Sequence, residues 1–149
     1  MVLINAGTND CRQQDGGSAP QRIRNLVSDI FQSIEGTTII LSGLLPSRDV
    51  DICAQVVGAG YEALLKSYQS QGKKIVFANM HNGYLTQGDI PDGTHPNDFG
   101  YKKMAAVWWQ TFQDARNRGF ITAPLDNGLP DDATTAVCDK IYGMLAYVI

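Results

Sequence analysis

The sequence has no run of about 18 apolar residues, so no segment is long enough to cross a bilayer as a helix. It has no basic cluster either. Twelve Lys and Arg stand against 15 Asp and Glu in 149 residues, a net charge of −3. That balance argues against a nucleic-acid or anionic-membrane partner. The opening residues, MVLINAGTND, lack the basic start and long apolar stretch of a signal peptide. Cysteine is scarce: Cys11, Cys53 and Cys138 show no CxxC spacing and are too few for a disulfide scaffold. Their odd number leaves at least one thiol unpaired within the chain. Histidine is scarcer still, so any histidine chemistry falls to His81 or His95. Their spacing with Asp92 fits no compact zinc motif, and Gly58-Ala-Gly60 follows no strand, so neither a metal nor a cofactor is expected. What is present is a globular composition, 44% hydrophobic and 18% charged, of one domain's length.

Hydrophobic periodicity divides the chain into alternating elements. Val2–Ala6 is a short apolar run closed by Gly7 and reads as a buried strand. The polar, glycine-rich stretch 11–19 reads as a loop. Pro20 suits a first helical turn, and Ile23, Leu26, Val27, Ile30, Phe31 and Ile34 form the buried stripe of a helix ending near Gly36. Thr37–Ser42 is a second strand. Residues 43–51 form a loop around Pro46, and Val57, Tyr61, Leu64, Leu65 and Tyr68 mark a second helix closed by Gly72. Lys74–Asn79 is a third strand. Residues 81–97 lack periodicity and carry three glycines and two prolines, a long loop of the kind that often bears function. Asn97 or Asp98 can cap a final helix with a stripe of Tyr101, Met104, Ala105, Trp108, Phe112 and Ala115, ended by Gly119. Residues 1–119 thus make one unit. Residues 120–149 form an irregular tail whose pattern allows a short helix around 131–142.

A β-α-β-α-β-α order predicts an α/β fold with a parallel sheet covered on both faces. Ligands of such sheets bind beyond the carboxyl ends of the strands. Two polar clusters fall there, Gly7-Thr8-Asn9-Asp10 and the 79–98 loop, and should share one edge.

Within that loop, Asp92-Gly-Thr-His95-Pro96 holds the sharpest chemistry. An Asp three residues before a His can accept from Nδ1, fix the tautomer and leave Nε2 as a general base. The same two residues can instead merely cap the following helix. Asn9 can offer its amide N–H to a developing oxyanion, with Gly7 permitting the sharp turn beneath it. Gly, Asn and Asp are also ordinary turn formers. Ser42 reads as a strand-end hydroxyl without nucleophile-elbow surroundings, and Ser18 and Ser47 as loop residues. Cys11 reads as a structural or pairing cysteine, because no basic side chain is placed to activate it. His81 reads as a loop residue at the site entrance. Lys102 and Lys103 read as a solvated helix face. Trp108 belongs to the buried stripe, while Trp109 suits packing, with sugar stacking as the alternative.

Taken together, Gly7-Thr8-Asn9-Asp10 and Asp92-Gly-Thr-His95-Pro96-Asn97-Asp98-Phe99-Gly100-Tyr101 resemble the Gly-x-Asn-Asp and closing Asp-x-x-His blocks of the SGNH (GDSL-type) hydrolases. Leu41–Pro46 resembles that family's connecting strand end. The resemblance covers residues 2–118 and looks closest to the carbohydrate-esterase branch. It implies a three-layer flavodoxin-like fold and hydrolysis of an acyl or acetyl ester, carried on carbohydrate in that branch. It also implies secretion. Asn9 would be an oxyanion donor, His95 the general base and Asp92 its orienting partner. The family's Gly-Asp-Ser block, which carries the nucleophile, occurs nowhere in the sequence. The chain therefore resembles the C-terminal two-thirds of such a domain, with a first strand and helix absent and the N-terminal strand left as an exposed edge able to self-associate. The isolated chain is expected to be inactive. The rival readings are a non-catalytic carbohydrate-binding pseudoenzyme and a truncated fragment.

Overall fold

A computed structural model describes residues 1–123. Three strands, β1 (Val2–Ile4), β2 (Ile39–Ser42) and β3 (Ile75–Ala78), form a parallel sheet in the order β1-β2-β3. Val2 pairs with Ile39, and Ile39 with Ile75. The helices are α1 (Thr8–Arg12), α2 (Ala19–Ser33), α3 (Asp51–Gln69) and α4 (Asp98–Asn117), with single 3-10 turns at Gly16–Ser18 and Gln87–Asp89. The α/β class expected from the sequence is thus observed, in a form compatible with a flavodoxin-like arrangement.

Period-two alternation builds the layers. Ile4, Ile39, Leu41 and Ile75 face one side and pack with Ile23 and Val27 of α2 and Val57, Tyr61, Leu64 and Leu65 of α3. Leu3, Ile40, Val76 and Ala78 face the other side and pack with Met80, Leu85, and Val107 and Ala115 of α4. Ile39, Ile40 and Leu41 are fully enclosed. Each such side chain contributes about 1.5–3 kcal/mol relative to exposure. Residues 75–78 are apolar throughout because both faces of the sheet are covered.

The helix ends follow local chemistry. The Asn97 side chain accepts from the Gly100 N–H at 2.8 Å, capping α4. Gly119, with φ 70°, bonds back to the Arg116 carbonyl at the far end.

The second long helix begins at Asp51, where the expected loop ends, and buries the expected stripe. Three expectations are corrected. The segment after Gly7 is helical over Thr8–Arg12 rather than a simple turn leading into a loop. The buried stripe of α4 runs through Val107, Thr111 and Ala115. Tyr101 and Ala105 are exposed, and Met104, Trp108 and Phe112 are only partly covered. Leu26 of α2, at the edge of an open groove beside β1, and Ile34, just past the helix, are 41% and 50% exposed. The expectation of a short helix at 131–142 lies outside the described residues.

Candidate functional site

The loops at the carboxyl ends of the three strands assemble the candidate site. Gly7 leaves β1 at φ 119°, in the left-handed region that favours glycine. A Cβ there would meet the Tyr61 hydroxyl at 2.5 Å. That hydroxyl donates to the Ala6 carbonyl at 3.1 Å and fixes the strand end. Burial pushes the Tyr61 pKa up, so the hydroxyl stays a donor. The chain turns at once into α1, which carries Asn9 in its first turn, exposed to solvent.

Five residues are too few for a helix to persist alone, so α1 depends on its attachments. Cys11 forms a disulfide with Cys53 of α3, across 42 residues of sequence. Asp10 pairs with Arg22 of α2. Arg12 reaches across the edge to the third strand's loop. Its Nη2 donates to the Gly93 carbonyl at 3.1 Å and to the Thr94 hydroxyl, and lies 4.0 Å from Asp49.

The turn that Arg12 grips is Asp92–His95. The Asp92 Oδ1 accepts the backbone N–H groups of Thr94 and His95 at 2.8 and 2.7 Å. Its Oδ2 lies 2.7 Å from His95 Nδ1. The His95 backbone N–H, then its ring and the Thr94 N–H, hold the Asp92 carboxyl well below the usual carboxylate range. The carboxylate is therefore an acceptor only, and Nδ1 carries the proton. Nε2 is left open on a side chain 72% exposed. Gly93, at φ 79°, makes the turn possible, and its carbonyl also accepts from the buried Ser47 hydroxyl at 2.9 Å. Asn9 and the Asp92–His95 pair thus sit on neighbouring segments joined through Arg12. No hydrogen bond links Asn9 directly to His95 among the described residues.

The other candidates resolve differently. Ser42 is fully buried and accepts from the Asn5 amide at 2.7 Å, so its hydroxyl is spent inside the sheet. His81 is a brace: Nδ1 bonds the Leu44 carbonyl and Nε2 the Asp51 carboxylate, each at 2.9 Å. Neither nitrogen is open to a substrate. Burial raises the Asp51 pKa, but the Ser47 N–H, the His81 ring and Gln55 outweigh it and leave the carboxyl lowered. A cavity of about 210 Å³ beside His81, lined by Leu44, Glu62, Phe77 and Asn79, includes none of Asn9, Asp92 or His95.

The reading of Lys103 as solvated is corrected. Its Nζ lies 2.8 Å from the buried Asp89 carboxylate and holds that group's pKa down. Trp109 is 55% exposed and stacks on Phe112 with centroids 5.4 Å apart.

Sequence reasoning missed Arg12 and, while reading Cys11 as a structural or pairing cysteine, left its partner Cys53 open. Neither had a local signal, because their partners lie 81 and 42 residues away. The charge of Arg12 next to the Gly-Thr-Asn-Asp cluster was the only pointer.

No family model matches the chain, and no solved structure matches it. Among curated proteins it is similar to a multidomain esterase of Ruminococcus flavefaciens, 23% identical over 124 residues. That match covers 76% of this chain and 15% of the relative, so the chain spans a small part of a much longer protein and has an esterase-like relationship to it.

Proposed function

We propose that the chain carries the oxyanion donor and the general base of an SGNH-type ester hydrolase acting on acyl or acetyl esters, with carbohydrate as the alcohol portion. The observation that carries this reading is the Asp92–His95 hydrogen bond of 2.7 Å, in a turn tied by Arg12 to the helix bearing Asn9. A serine hydroxyl attacks the acyl carbon and His95 Nε2 takes its proton. Asp92 steadies the imidazolium that forms, and the Asn9 amide donates to the oxyanion. His95 then returns the proton to the leaving alkoxide, and water repeats the cycle on the acyl-serine. The esterase-named relative supports the reaction class. The Cys11–Cys53 disulfide suits the oxidising compartment that secretion implies.

The nucleophile of this reading lies outside the 149 residues, which contain no Gly-Asp-Ser. The 149-residue chain alone is therefore expected to lack turnover on p-nitrophenyl acetate and to stay unlabelled by a phosphonate serine probe. Fused to a strand bearing Gly-Asp-Ser, it should gain turnover. His95→Ala should abolish that gain, and Asn9→Ala should lower it roughly 10²–10³-fold. Stoichiometric labelling of Ser42 or another serine of the chain, or fused activity indifferent to His95, would overturn the reading. A fusion that binds sugar without hydrolysis would favour the non-catalytic carbohydrate-binding alternative.

A further inference from the structure

Beside the Asp92–His95 turn, two large aromatic side chains face solvent: Tyr84, 53% exposed, and Phe99, 62% exposed. They come from different segments, the 79–98 loop and the first turn of α4. One ammonium, Lys103 Nζ, lies over both rings, 5.6 Å from the Tyr84 centroid and 4.8 Å from that of Phe99. Lys103 is itself held. Asp89 accepts from it at 3.0 and 2.8 Å through its two oxygens, and also from the Thr86 N–H and hydroxyl. The Asp89 carbonyl accepts from the Asn97 N–H at 2.8 Å, two residues after His95. The two rings are therefore fixed to each other and to the start of the helix that follows His95. Large apolar side chains are normally withdrawn from water. Here an ion pair is sequestered beneath two of them while their outer surfaces stay open.

We propose that Tyr84 and Phe99 form a stacking platform for the sugar rings of a neutral polysaccharide, extending the candidate site along the bound chain. The proposal rests on the ester hydrolase reading only for the platform's place beside the reacting bond. The occupant follows from the chemistry. The apolar C–H face of a pyranose lies flat on an aromatic ring while its hydroxyls stay in water, which suits rings half open to solvent. An aliphatic acyl chain needs enclosure, and these exposed rings offer none. Nucleobases also stack on aromatics, but the Lys103 charge over the rings is paired with Asp89, Asp98 adjoins Phe99 and the net charge is −3, which disfavours a polyanion.

Affinity electrophoresis of the full chain through gels containing soluble linear xylan tests this. Xylan should retard the chain. Tyr84→Ala and Phe99→Ala should each weaken binding roughly three- to tenfold, while Tyr84→Phe and Phe99→Tyr keep it. Trp109→Ala, about 15 Å further along α4, should leave it unchanged. Retention of circular dichroism and melting temperature in the alanine variants excludes unfolding as the cause. No retardation, retardation indifferent to both rings, or tighter ring-dependent binding of single-stranded oligonucleotide would each overturn the platform. Because binding is read without hydrolysis, a fused chain that releases no acetate while both ring variants lose xylan would sink the ester hydrolase reading and leave the platform standing.

Discussion

Arg12 acts at the scale of single residues. Its guanidinium is the link between the helix bearing Asn9 and the turn bearing His95, through the Gly93 carbonyl and the Thr94 hydroxyl. Hydrogen bonds to a charged donor contribute about 1.5–3 kcal/mol when sheltered and less where solvent screens them, as it does here. Arg12→Ala is therefore expected to leave the sheet intact but to speed amide exchange at Thr94 and His95 by roughly tenfold. Arg12→Lys should recover part of that protection, since an ammonium can bond one of the two acceptors but lacks the guanidinium's forked geometry. Exchange followed by NMR decides it, and unchanged protection at those two amides would mean that the Asp92 carboxylate orders the turn unaided. The Asp92–His95 pair was legible in the sequence because both partners lie within one turn. Arg12 was not, because its acceptors are a backbone carbonyl and a hydroxyl that only the folded chain brings near.

At the scale of elements, legibility followed length. The strands and the three long helices α2, α3 and α4 carry enough apolar repeats to announce themselves. Helix α1, at five residues, spans little more than one turn and has no repeat to read. The α4 stripe was misphased because Tyr101 and Ala105 were counted as core. The helix instead turns Val107, Thr111 and Ala115 to the sheet and leaves bulky aromatics on its flank. What replaces periodicity in α1 is the covalent tie from Cys11 to Cys53. Closing 42 residues of chain removes unfolded-state entropy equivalent to about 4 kcal/mol in the loop-closure model. The double variant Cys11→Ala/Cys53→Ala should lower the melting temperature by about 10 °C. Exchange protection should fall first in residues 8–12 and in the turn that Arg12 grips. A melting temperature unchanged from the parent chain would show that the Asp10–Arg22 pair and the Tyr61–Ala6 bond suffice to seat α1.

At the scale of the whole molecule, the sheet is lopsided. Strand β2 is paired on both sides, whereas β1 has a described strand neighbour only in β2. The Val2 N–H bonds the Thr38 carbonyl, so by alternation the Leu3 N–H and carbonyl point to the open side. Along that side runs an apolar groove of about 200 Å³, lined by Val2–Ala6 and by Leu26 and Ile30 of α2. An unpaired apolar edge recruits other strands. Here the free backbone groups lie beside the exposed Leu26, so pairing would bury both at once. We expect the purified chain to associate with itself through this edge, with sedimentation coefficients that rise with concentration. The substitutions Leu26→Lys and Leu26→Glu each place charge at the groove from the α2 side, at a half-exposed position outside the enclosed strand core. They should return the chain to a monomer while leaving its melting transition close to that of the dilute parent. Should the unsubstituted chain sediment as a monomer at every concentration and melt cooperatively above about 60 °C, the upper part of the mesophile range, the edge must be shielded by another part of the chain and β1 would not be an interface.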